Sequence, residues 1–326
     1  MEFSVKLLKK LMDLRYFKQP KLKEIKAKLL TRQIKYREMV NQDFRNKDNN
    51  TLDEFDRKRW SRQLSHGLIN QKRIRDARIV VFGVGGIGSN VLIGLIYSGV
   101  HNFKIIDYDV VKPSNLNRQT LYVPSDVGSL KTDKAEERSL NINPNISIES
   151  YNIKINYPRD LNVLNSKGKE FDDIITKIND FIKWGDIIVN ALDFQGAPYL
   201  INDLCVINRK PFYWGGVNHF LGEIYRFYPK NNTACLRCIF GPSDFINKSQ
   251  FLRYKGKEKN ISKSINLGST VIGTGNLISE MIIHDICGIE SFSLSHFIIY
   301  DAYEIKIKKI PIEIDNDCQC QKFNKN

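Results

Sequence analysis

Apolar positions divide the chain into two regimes. From residue 1 to 48 they recur at helical spacing: Val5, Leu8, Leu11 and Met12, with Leu7 and Leu14 widening the stripe, then Leu22, Ile25, Leu29 and Tyr36 after Pro20. That spacing predicts two helices. The polar stretch RNKDNNTLDEFD, residues 45–56, reads as a linker. Beyond it, short apolar runs alternate with helical ones. Residues 78–82 form a buried strand by composition, Gly83 to Gly88 a turn, and the run Ile87 to Ile96 a helix. A second strand over 103–109 ends in Asp107 and Asp109. The pattern continues with a helix at 131–140, strands at 146–152, 186–191 and 212–216, and a helix at 197–208. The alternating segment 221–229 predicts an antiparallel strand, 241–265 a polar Lys-rich loop, 270–287 a helix with small residues on one face, and 296–310 a closing hairpin. No repeat period is visible. This β-α-β alternation implies a mostly parallel sheet covered by helices on both faces.

Composition adds limits. The 326 residues are 42% hydrophobic and 26% charged, an ordinary globular balance that needs no disulfide staples. No apolar run is long enough to span a bilayer and no signal pattern opens the chain, so we expect a cytoplasmic protein. Six cysteines there favour metal ligands or free thiols over disulfides. The net charge is +14, but residues 1–50 hold 14 Lys/Arg against 6 Asp/Glu, more than half of the excess. The basicity therefore belongs to an N-terminal extension. A solvated helical face or a grip on an acidic or peptide partner accounts for it. Nucleic acid is disfavoured, because no stacking motif accompanies the charge.

Gly83, Gly85, Gly86 and Gly88 follow a strand and open a helix, where backbone without Cβ atoms approaches phosphates and the helix N-terminus favours negative charge. Asp107 ends the next strand, placed to accept hydrogen bonds from ribose hydroxyls. Alone, this fits a nicotinamide dinucleotide nearly as well as ATP. The residues around it separate the two. Asp109, Asn115, Asn117, Arg118 and Gln119 lead into Lys131, with Arg59 and Arg62 upstream. Cations converging just past the ribose acid suit a triphosphate, on which charge builds during transfer at the α-phosphorus.

The strings RWSRQ, GVGGIGS, DYDVVKPSNLNRQ, VGSLK and CLRC stand in the order found in the ThiF/MoeB/ubiquitin-activating-enzyme superfamily, which residues 57–320 resemble. The resemblance implies an adenylyltransferase: a C-terminal carboxylate attacks the α-phosphate of ATP, giving an acyl-adenylate and pyrophosphate. It implies that Gly85 and Gly86 line the phosphate loop and that Asp107 holds the ribose. Asn115, Arg118 and Lys131 would contact phosphates. Asp193 would hold Mg2+, and Arg62 would reach into a neighbouring protomer's site, which makes a homodimer. One departure touches Asp193: the family's Asp-Asn is Asp193-Phe194 here.

Cys235-x-x-Cys238 is a metal knuckle by spacing, and Cys318-x-Cys320 follows 80 residues later. Four thiolates suit a structural Zn2+ pinning the C-terminal tail, against a degenerate metal-free site. The family's second pair is C-x-x-C, so the C-x-C here is tighter. Cys205 and Cys287 read as buried, inert thiols. Members that relay through a thioester or disulfide carry a cysteine in the long loop before the last helix, and residues 241–270 have none. That implies chemistry ending at the adenylate or its direct transfer, as in MoeB-like enzymes and in the microcin-C-type peptide adenylyltransferases, which also carry an extra N-terminal segment that grips the peptide. The fold class is thus α/β: a Rossmann-like, mostly parallel sheet with helices on both faces, added antiparallel strands, a zinc knuckle and an N-terminal helical extension. The expected organisation is 1–50, a basic extension that would clamp a peptide, and 51–326, the adenylation domain. The expected acceptor is a small peptide, with a ubiquitin-like sulfur carrier as the alternative. A catalytically silent nucleotide-binding partner is a further alternative.

Overall fold

The computed structural model describes residues 52–65, 68–155, 169–192, 197–229, 233–240, 266–289 and 296–318, with Lys28, Thr31 and Cys320 as single positions. The two helices expected before residue 48, the loop 241–265 and Asp193 therefore lie outside the described residues, apart from Lys28 and Thr31, which are helical. The chain forms two compact units, Met1–Arg73 and Ile74–Asn326.

In the first unit the stretch read as a linker turns helical before it ends. Asp53 caps helix α1 (Glu54–Arg59), its Oδ1 accepting the Asp56 N–H at 2.7 Å, and Glu54 and Lys58 pair one turn apart. The run is polar, but Asp followed by Glu, Asp and then Lys and Arg suits both ends of the helix dipole. Trp60 is buried, with the Arg59 guanidinium over its ring, and a short helix α2 (Ser61–Leu64) carries Arg62 exposed to solvent.

Helix α3 (Gln71–Asp76) is followed by strand β1 (Arg78–Phe82), whose last four residues are fully buried. Next come α4 (Gly86–Ser98), β2 (Asn102–Asp107), α5 (Lys131–Ile142), β3 (Ser147–Asn152), α6 (Lys169–Trp184), β4 (Ile187–Asn190) and α7 (Ala197–Ile207). They are followed by β5 (Phe212–Asn218), β6 (Leu221–Phe227), α8 (Leu236–Phe240), α9 (Gly268–Cys287), β7 (His296–Asp301) and β8 (Lys306–Pro311). One sheet contains all eight strands in the order β3-β2-β1-β4-β5-β6-β7-β8. The first five pair in parallel, and β6, β7 and β8 add antiparallel. The helices and strands expected from residue 78 onward are present within a few residues of their expected ends. The sequence reading passed over α6, although Ile174, Ile175, Ile178 and Ile182 repeat at helical spacing, and Ile178 and Ile182 are buried in the core.

One sheet face carries α4 and α9. These two pack closely because small residues meet: a Cβ on Gly94 would lie 2.4 Å from Ser279 Oγ, and one on Gly275 2.6 Å from Asn90 Cβ. Burying an aliphatic side chain contributes about 1.5–3 kcal/mol, so this seam and the sheet above it supply much of the unit's stability. The opposite face is covered by α6 and α7 over Val80, Ile188, Phe212, Trp214 and Tyr225. The chain runs outward from β1 to β3 and then returns to lay β4 on the other side of β1, so the strand order reverses between β1 and β4 and opens a crevice at their carboxyl ends.

Candidate functional site

The glycine loop occupies that crevice. Gly83 has φ +86°, a left-handed conformation that suits glycine, and a Cβ there would lie 2.7 Å from the Ala191 carbonyl oxygen. Gly88 stands in the first turn of α4, where a Cβ would fall 1.8 Å from Gly83 O. These two glycines are structural: they let strand, turn and helix fold back on one another. Gly85 and Gly86 differ. A Cβ on Gly85 would meet only Gln119 Nε2 at 3.6 Å, and Gly86 lies against Val271 of α9 and the aliphatic part of Arg118. They are the partly open end of the loop, where a phosphate has room to approach the N-terminus of a 13-residue helix.

Asp107 closes β2 beside the loop and is buried. Its Oδ2 accepts the Val84 N–H at 2.8 Å and its Oδ1 the Asp109 N–H at 2.9 Å. Each oxygen retains a lone pair, so the carboxylate is oriented by the backbone and still able to accept hydroxyl donors. Cations line the other side of the site. Lys131, the first residue of α5, is buried, with Nζ 2.8 Å from Asp109 Oδ2. Asn115 is also buried and its Oδ1 accepts the Lys112 N–H at 3.0 Å, so its carbonyl closes the short turn Pro113–Asn115. Arg118 donates to Ser114 O and Asn117 Oδ1, each at 2.8 Å. The N-terminus of α9 lies against this loop: a Cβ on Gly268 would sit 2.1 Å from Asn117 O.

Two residues that the sequence reading did not single out hold these pieces together. Asn90 Nδ2 donates to Gly86 O at 2.6 Å and to Arg118 O at 3.0 Å, while its Oδ1 accepts from Thr120 at 2.7 Å. Tyr122 OH lies 2.8 Å from Val84 O and 3.3 Å from Lys131 O, and burial together with the neighbouring Asp107 pushes its phenol well above the usual range. It stays a neutral donor tying the glycine loop to α5. The signal for Asn90 was present, since it is an amide inside the apolar run from Ile87 to Ile96. Tyr122 had none without the fold. Arg62 belongs to the first unit and Asp193 lies outside the described residues.

Cys235, Cys238, Cys318 and Cys320 come together, their sulfurs all within 4.8 Å of one another. The separations are 3.9 Å for Cys235–Cys238, 3.7 Å for Cys235–Cys318 and 3.5 Å for Cys238–Cys320. Disulfide sulfurs lie about 2.05 Å apart, so these are thiols. A tetrahedron with bonds of about 2.3 Å has edges of about 3.8 Å, and the cluster fits a Zn2+ ion. The C-x-C pair meets this geometry with the tighter spacer. The knuckle is anchored to α7, where Asn202 Oδ1 accepts the Leu236 N–H at 2.8 Å and Asp203 pairs with Arg237 at 2.6 Å. Cys205 and Cys287 are buried, and burial pushes the Cys205 thiol up, away from the reactive thiolate.

With the crevice, its cations and the four-cysteine knuckle in place, residues 60–322 match the ThiF family. The chain belongs to that family. It is 27% identical over 275 residues to the sulfur carrier protein adenylyltransferase of Thermus thermophilus, covering 82% of this chain and 91% of that protein. It is 27% identical over 263 residues to the probable adenylyltransferase/sulfurtransferase MoeZ of Mycobacterium tuberculosis, covering 79% of this chain but only 60% of that longer protein. In fold it resembles E. coli MccB solved with ATP, with a TM-score of 0.62 at 23% identity over 82% of this chain and 75% of that one. It also resembles PaaA, with a TM-score of 0.64 at 18% identity over 94% and 96%. Among the described residues no helix is long and apolar enough to cross a membrane.

Proposed function

We propose that the protein is an ATP-dependent adenylyltransferase that activates the C-terminal carboxylate or amide of a small peptide. The observation that carries this reading is the placement of Lys131 and Arg118 beside the glycine loop and Asp107, at the one crevice where the sheet reverses its strand order. In the simplest form of the reaction, a carboxylate oxygen of the acceptor forms a bond to the α-phosphorus of ATP, the bond from that phosphorus to the bridging oxygen breaks, and pyrophosphate leaves with the electron pair. Asp107 holds the ribose, Gly85 and Gly86 give the phosphates room, and Arg118, Lys131 and the Asn115 amide face the charge that develops. Asp193 would hold a Mg2+ ion, which would supply positive charge to the leaving pyrophosphate. Cys235, Cys238, Cys318 and Cys320 hold a structural Zn2+, which suits a reducing cytoplasm.

The absence of cysteine from residues 241–270 supports an adenylate handed on without a thioester at that position. Residues 1–50 supply a basic clamp for the acceptor, and Arg62 completes the site of a second protomer, so the enzyme acts as a homodimer. Mixing Arg62→Ala with Asp193→Ala protomers tests that geometry: partial recovery of activity is expected, and none contradicts it. A second acceptor is favoured by a specific observation, the near full-length match to the Thermus sulfur carrier enzyme. Pyrophosphate release on offering free peptides and sulfur-carrier proteins separates the two. Turnover with carriers alone replaces the peptide reading, and turnover with neither, alongside ATP binding, makes the protein a silent nucleotide binder.

A further inference from the structure

Glu223 has a setting that the nucleotide site does not explain. It lies directly opposite Gly216 in the β5–β6 register and opposite Ile299 of β7, near the carboxyl end of β5. Opposed residues share a face. A Cβ on Gly216 would lie 3.3 Å from the Trp214 ring and 4.0 Å from Glu223 Oε2, so the glycine spares the space between the indole and the carboxyl group. Gly215, the next residue, points the other way, towards Ile278 of α9. Glu223 therefore occupies the face opposite α9.

Among the described residues the Glu223 side chain has neither a hydrogen bond nor an ion pair, although it is only partly exposed. The charged residues in register on that face, Asp301 of β7 and Lys306 and Lys308 of β8, are engaged elsewhere: Asp301 pairs with Lys308 at 3.4 Å and Lys306 with Glu304 at 2.9 Å. Arg226 of the same strand points to the other face and pairs with Asp285. Burial without compensation pushes the Glu223 carboxyl up to about 7. A group taken from water and given no partner costs stability, and a ligand donor would repay it.

Its position fixes what such a donor belongs to. β6 lies three strands from β1, about 14 Å at about 4.8 Å per strand. An extended chain rises about 3.3 Å per residue. A tail whose last carboxyl reaches the glycine loop along the strand ends would pass Glu223 about four residues earlier. We infer that Glu223 selects the acceptor, accepting or sharing a hydrogen bond with a donor on the acceptor tail about four residues before its activated end. This rests on the adenylation reading and adds to it a residue that reads the tail.

The test uses the full-length protein and a library of C-terminal heptapeptides, presented free and as the tail of a small ubiquitin-like domain, varied at the third to fifth positions from the end. Adenylate formation is read with Mg2+ and ATP. In wild type, preference at one of those positions should be for residues with a donor. Glu223→Leu should flatten that preference and raise the acceptor KM about tenfold, the scale of one hydrogen bond, with the KM for ATP unchanged. Glu223→Gln, which retains an acceptor oxygen, should fall between. Unchanged preference and KM in both variants overturn the role of Glu223 and leave adenylation intact. A wild type that binds ATP but activates no tail overturns both.

Discussion

Lys131 and Asp109 meet twice. The Lys131 N–H donates to Asp109 O at 2.9 Å, and Lys131 Nζ lies 2.8 Å from Asp109 Oδ2. The backbone contact fixes where α5 begins, and the side-chain contact holds the buried Lys131 ammonium on the rim of the crevice against Asp109, two residues beyond Asp107 in sequence. Removing a partner from such a pair leaves a charge without its counterpart, whereas the pair itself adds little net stability.

Lys131→Met keeps the aliphatic stem and removes the charge. It should lower kcat/KM for adenylation by about 100-fold or more, the scale of one electrostatic contact to a transition state. Asp109→Asn should leave the ammonium in place and cost about tenfold less. Steady-state kinetics beside a thermal melt check this; a Lys131→Met protein of full activity would assign the charge elsewhere.

The glycines separate fold from phosphate binding. Gly88→Ala forces a methyl to within 1.8 Å of Gly83 O and should destabilise the unit by more than about 3 kcal/mol. Gly85→Ala meets nothing closer than 3.6 Å, so it should leave the melting curve unchanged and weaken ATP binding. Calorimetric ATP titration of Gly85→Ala is the informative measurement. Wild-type affinity there would move the phosphates away from this end of the loop.

This distinction marks how far the sequence could be read. The strand, turn and helix around Gly83 to Gly88 were legible because local periodicity and glycine spacing encode them. So were β1, β2, β5, α7 and the closing hairpin, whose apolar runs have one reading. Which glycines serve the fold and which the ligand was not legible, because Gly83 and Gly88 meet through a turn that only the folded backbone specifies. Tyr122 escaped for the same reason: its hydroxyl bridges Val84 and Lys131, residues far apart in the sequence. α6 was legible and passed over, since its isoleucines carry a helical period.

Four thiols arranged as a tetrahedron predict a metal. Elemental analysis of protein purified without added metal should find about one zinc per chain, and Cys320→Ser should lose it and loosen the C-terminal tail, seen as faster proteolysis there. Zinc-free native protein that is fully folded would remove the metal from the site.

The Glu223 carboxyl gives a pH signature. Its folded value is about 7 against an ordinary 4.5, so the wild type has this group's full stability below about 4.5 and loses it as pH rises through 7. Glu223→Gln never ionises. It should therefore melt higher than wild type at pH 8, with the difference closing as the pH falls towards 5. Parallel melts check this; a constant gap across that range would mean that Glu223 titrates normally.

The central claim is adenylation at the crevice between Gly85, Asp107 and Lys131, and ATP–pyrophosphate exchange tests it most directly. With Mg2+ and a matching acceptor tail, labelled pyrophosphate should enter ATP, and exchange should vanish when the acceptor is omitted or Asp193 is replaced by Ala. ATP binding without exchange for any peptide or carrier tail would contradict it.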